Sequence, residues 1–145
     1  MSFAGAKSSF SVEQAEAGIE IPYQVVVEAD GRAFPQAGDA GGCEQPDASG
    51  LIFHESLDGN GQHYGTDDLG NCMRAQMQPS TVHAGTFAHS FKWRGHNWRG
   101  PSDTGNKEGR PFPPGDYKLQ VRARGRTVSG APFVVDAKWP IKLVP

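Results

Sequence analysis

The clearest alternation of apolar and polar positions runs from Gly85 to Gly125. In its first half Phe87, His89, Phe91 and Trp93 share one side, while Thr86, Ser90, Lys92 and Arg94 share the other. A stretch rich in Gly, Asn and Pro follows. Then Tyr117, Leu119, Val121 and Ala123 oppose Asp116, Lys118, Gln120, Arg122 and Arg124. A period of two with charge on one side predicts half-buried antiparallel strands. The two runs read as a hairpin-like pair about a long turn. Residues 19–29 carry a similar signal, with Ile19, Ile21, Tyr23, Val25 and Val27 inward and Pro22 near the strand's beginning or on an edge. Near the end Phe133, Val135, Ala137, Trp139, Ile141 and Leu143 fall on one parity, which predicts one or two closing strands. Weaker strands are expected over 9–12, 51–57 and 73–82, and residues 32–50 and 62–71 are expected as irregular chain. Asp30-Gly31, Asp58-Gly59-Asn60-Gly61 and His83-Ala84-Gly85 mark turns.

These elements predict an all-β protein with about seven to eight strands, no helix and no internal repeat. The expected architecture is an antiparallel immunoglobulin-like β-sandwich with long loops, and a small barrel is the second choice. Residues 9–145 form its single domain, and residues 1–8 are expected as a flexible end.

Composition agrees. Gly (19) and Pro (11) are abundant among 145 residues, which favours turns over helices. Net charge is −2, so nothing global attracts nucleic acid or an anionic membrane. No apolar run approaches the roughly 20 residues that cross a bilayer. The first fifteen residues show no secretory signal. Cys43 and Cys72 lie in two polar, glycine-rich stretches, and an even count in such a chain predicts one disulfide. Closing that loop would stabilise the fold by about 3 kcal/mol on the chain-entropy model. A disulfide implies the periplasm or cell surface, with a leader removed; two reduced thiols would imply the cytoplasm.

Phe91-Lys92-Trp93-Arg94-Gly95, then Gly100, then Pro114-Gly115-Asp116-Tyr117 carries a family likeness. It resembles the immunoglobulin-like domain of the flagellar hook-capping protein and related secreted modules. It is also similar to the BsuPI-type intracellular proteinase inhibitors, in which a strand ending in Trp precedes a Pro-Gly-x-Tyr turn. The likeness covers roughly Thr81 to Arg124, about a third of the chain. It implies a fold in which Gly95 and Gly115 permit tight turns and Trp93 and Tyr117 fill one end of the core. Such patterns transfer fold better than activity.

Candidate chemistry is sparse. No Gly-x-Ser-x-Gly elbow, phosphate-cradling loop or dinucleotide fingerprint occurs, so no catalytic residue and no cofactor is expected. His54, His63, His83, His89 and His96 lack paired metal-ligand spacing; His89 reads as a core histidine and the rest as surface residues. The segment Asp58 to Asp68 hints at a calcium loop, but its sixth position is His63 and its twelfth Leu69, so a plain turn is the stronger reading. The most suggestive residues are Arg94, His96, Trp98 and Arg99, because Trp and Arg are enriched at binding hot spots. Trp93 shares the inward parity and belongs to the core. The expected function is a non-catalytic binding or adhesion-type module that meets another protein, a glycan or a cell-envelope component through its loops. Membrane attachment would come from a lipid anchor outside this sequence, and no nucleic-acid partner is expected. A proteinase inhibitor and a metal-binding protein are the alternatives.

Overall fold

The strand from Gly115 to Thr127 pairs with three others, more than any other described strand does. The computed structural model describes residues 1–33, 48–51, 53–65, 80–98 and 107–145. Their elements are β1 (Ser9–Ser11), α1 (Val12–Ala17), β2 (Ile19–Val27), β3 (Gly31–Ala33), β4 (Phe53–Gly59), β5 (Gln62–Gly65), β6 (Ser80–Val82), β7 (Gly85–Trp93), β8 (Gly115–Thr127) and β9 (Pro132–Val144). Among the described residues the fold is all-β apart from that one short helix.

The strands form a seven-stranded and a two-stranded sheet. β8 pairs antiparallel with β9 from Gly115 to Arg126. It also pairs with β4 over Lys118–Ala123 and with β3 at Arg126 and Thr127. β6 extends β3, β5 extends β4, and β1 joins the outer side of β9 in parallel. The second sheet is β2 with β7, in unbroken antiparallel register from Ile19↔Trp93 to Val27↔Gly85.

This arrangement corrects the hairpin-like pair. β7 and β8 do not pair: each belongs to a different sheet, and the segment between them crosses from one to the other. Alternation reports which face of a strand is buried, and it is silent on the neighbour. Both inward faces meet in one hydrophobic cluster. Ile21, Val25 and Phe91 from the small sheet join Leu57, Leu119, Val121, Ile141 and Leu143 from the large one. Rings touch across the gap: Tyr23 lies 5.8 Å from Phe53, and Tyr64 lies 5.8 Å from Phe91. Each fully buried side chain of this size contributes roughly 1.5–3 kcal/mol.

Other differences have local causes. A helix forms at Val12–Ala17 because Ser11 and Gln14 make a reciprocal capping box, the Ser11 hydroxyl accepting from the Gln14 N–H and the Gln14 side chain accepting from the Ser11 N–H. Within residues 1–8, Ser2 and Phe3 are held against the sheets. Ser2 and Gln24 exchange backbone hydrogen bonds of 2.8 Å, and Phe3 is buried against Tyr23 and Trp139. Residues 62–65, expected as irregular chain, pair with β4 through a two-residue turn. Asn60 (φ 49°) and Gly61 (φ 70°) are both left-handed there, as an Asn-Gly hairpin turn requires. The fourth strand begins at Phe53 rather than Leu51. Cys43 and Cys72, and most of the strand expected over 73–82, lie outside the described residues.

Phe3→Ala should lower the unfolding free energy by about 3 kcal/mol in urea denaturation, the cost of a large-to-small core change. A change below about 0.5 kcal/mol, typical of an exposed position, would contradict the burial of this end.

Candidate functional site

The crossover from β7 to β8 begins at Arg94 and ends at Pro114, and its two described ends pair with each other. The Phe112 N–H donates to the Gly95 carbonyl at 2.8 Å, and the Asn97 N–H donates to the Arg110 carbonyl at 3.0 Å. His96 and Pro111 form an isolated antiparallel bridge. Gly95 makes the turn with φ 78°, and it lies so close to α1 that a Cβ would sit 3.0 Å from the Glu16 nitrogen. That position requires glycine for conformation and for space.

Beneath this ladder the core is aromatic. Trp93 packs edge-on against Phe112 at 4.7 Å, and Phe112 lies 4.9 Å from Tyr117. All three are buried. The Trp93 indole N–H donates to the His96 carbonyl at 2.9 Å, so its polar atom is satisfied by the crossover itself. The Tyr117 hydroxyl donates to the Pro113 carbonyl at 2.6 Å. Trp93 and Tyr117 thus fill this end of the core. Phe112, which sits in no alternating run, completes the stack.

Asn97 is the centre of the rim. Its Nδ2 donates to Gln62 Oε1 at 2.8 Å and to the Arg110 carbonyl at 2.9 Å, and its Oδ1 accepts from the His63 N–H at 2.8 Å. Gln62 is buried; its Oε1 also accepts from Arg110 Nε at 3.3 Å, and its Nε2 donates to the Asn60 carbonyl at 3.1 Å. The Trp98 N–H donates to the His63 carbonyl at 3.0 Å, and the Trp98 carbonyl accepts from the Gly65 N–H at 3.2 Å. Trp98 therefore makes an isolated parallel bridge to Tyr64 of β5.

The singled-out residues fall in different surroundings. His96 and Trp98 are half-buried on this rim, and His96 Nδ1 lies 2.9 Å from the Gly109 carbonyl oxygen. Arg94 is exposed on the α1 side, its Cγ about 4.0 Å from where a Gly18 Cβ would stand. Arg99 lies outside the described residues. Sequence reading missed Asn97, Gln62 and Arg110. Their chemistry depends on contacts across 13 to 48 positions of chain.

Two other polar groups lie away from this rim. Glu55 is buried between the sheets, where its Oε1 accepts from the Tyr23 hydroxyl at 2.8 Å and lies 3.7 Å from His89 Nε2. Phe53 and Tyr23 flank the His89 ring. These contacts form a polar link between the two sheets. His63 Nδ1 pairs with the Asp58 carboxylate on the β4–β5 hairpin. Among the described residues no group of three or more His, Cys, Asp or Glu side chains could hold a metal ion.

Burial raises the Tyr64 phenol above its usual value of 10.0, and the Glu55 and Glu108 charges add to that. A raised folded value favours the neutral phenol, so this stabilisation is fully present below pH 10.0 and lost as pH rises through the folded value. In an ultraviolet phenolate titration, Tyr64→Phe should remove a late-ionising step and lessen the alkaline loss of stability. Asn97→Ala should cost about 2–3 kcal/mol in chemical denaturation, because Gln62 and the Arg110 carbonyl lose a shared donor and the His63 N–H loses its acceptor. No known protein family, curated protein or solved structure matches this chain.

Proposed function

We propose that this chain is a non-catalytic binding module, an immunoglobulin-like β-sandwich of the periplasm or cell surface. It meets a protein or glycan partner through the rim formed by the β7–β8 crossover and the β4–β5 hairpin. One observation carries the reading: Asn97 pins the crossover to the hairpin by side-chain bonds on three sides, while Trp98 beside it keeps part of its surface exposed. A half-exposed tryptophan on a held backbone loses little conformational freedom on binding, which is the economy of a preorganised contact. His63, His96 and Arg110 add hydrogen-bonding groups around it.

The immunoglobulin-like reading draws on Tyr117. At the start of β8 its hydroxyl reaches back to the Pro113 carbonyl, as the corner tyrosine of immunoglobulin domains reaches back to upstream backbone. Export draws on Cys43 and Cys72 as a disulfide.

The test is capture on glycan arrays and from cell-envelope extracts, with wild type and Trp98→Ala side by side. Trp98→Ala should weaken capture about tenfold or more while changing stability by less than about 1 kcal/mol. Equal capture by both proteins would remove the rim from consideration.

A further inference from the structure

The opposite end of the two sheets holds a cavity of about 760 Å³. That volume is within the roughly 300–1,000 Å³ typical of small-molecule sites. It lies where β2 runs out beyond Val25 and where the β8–β9 turn begins at Thr127. Val25, Leu51 and Val82 form its floor, each no more than 2% exposed. Val27, Phe133 and Val135 are half-buried walls. Val128, on the turn, stands at the lip 82% exposed, and Val26 is 58% exposed. Exposed valines at the mouth of an apolar cavity are the residues a bound hydrocarbon would cover.

The polar lining sets the charge of the occupant. The Thr127 and Ser129 hydroxyls lie 2.8 Å apart, and Thr127 Oγ1 also accepts from the Ala131 N–H. Asp30 Oδ1 accepts from the Ala84 N–H at 2.8 Å. Glu28 is exposed at the lip and makes no hydrogen bond or ion pair with another described residue. Glu28 and Asp30 are the charged side chains of the lining, and both are acidic; Met1, which carries the α-amino group, lines the cavity as well, leaving an acidic excess of one.

We infer that this cavity binds a small amphiphilic amine, its hydrocarbon chain between the valines and Phe133 and its ammonium group at Glu28. The site is separate from the rim around Asn97, at the other end of β2 and β7. Dispersion and water exclusion supply the affinity, and the Glu28 carboxylate selects cation over anion.

Calorimetric titration of the full chain with decylamine, decanol and decanoate, each below its micelle-forming concentration, tests this. Decylamine should bind saturably at one site, with affinity rising about threefold to fourfold per methylene from octylamine upward. Decanoate should bind at least threefold more weakly than decylamine. Glu28→Gln should reduce decylamine affinity about threefold to fivefold and leave decanol unchanged. Val135→Trp, which narrows the cavity at its wall, should weaken binding of all three. Val128→Lys, at a lip position that is 82% exposed, should reverse the preference toward decanoate. Absence of saturable decylamine binding, equal affinity for amine and carboxylate, or unchanged preference in Val128→Lys would each overturn the inference.

Discussion

The contact on which the rest depends is the aromatic stack of Trp93, Phe112 and Tyr117. The chain leaves the small sheet at Trp93 and enters the large one at Gly115. Rings from the strand end, the crossover and the new strand stack there in turn, Trp93 4.7 Å from Phe112 and Phe112 4.9 Å from Tyr117. Such contacts are worth about 0.5–1.5 kcal/mol beyond the area they bury. Their larger effect is geometric. They hold the two sheets together at the point where the backbone passes between them, and every contact of the rim is measured from that point. The other end has valines where this end has rings, and a cavity is left.

Polar groups inside this frame are few and satisfied. Gln62, buried at the rim, uses both ends of its amide. Glu55, buried between the sheets, accepts the Tyr23 hydroxyl from the opposite layer. Leaving either group unpaired would cost about 1–3 kcal/mol, more for the carboxylate. These bonds therefore specify how the layers register on each other, which apolar contact alone does not.

Much of the interior was legible in the sequence. The inward parities of β2, β7 and β8 are those of the buried side chains, because a strand with one wet face must alternate. The Asn60-Gly61 turn was legible for a local reason as well, since both residues tolerate left-handed backbone. Strand partnership was not legible: nothing in the alternation of β7 says whether β2 or β8 lies beside it. Phe112 and Asn97 were missed because each acts through residues distant along the chain. The helix carried a readable signature in Ser11 and Gln14, but six residues between two strands are too few to show a helical period.

The parallel pairing of β1 with β9 has a consequence in time. Ser9–Ser11 meets Lys142–Val144, so a strand made early by the ribosome has no seat until a strand made late has emerged. Phe10 stays uncovered throughout that interval, although it is buried at the finish. The same delay applies to β2, whose partner β7 follows some sixty residues later. A nascent chain of this protein therefore exposes these apolar segments for most of its translation, the interval in which aggregation competes with folding.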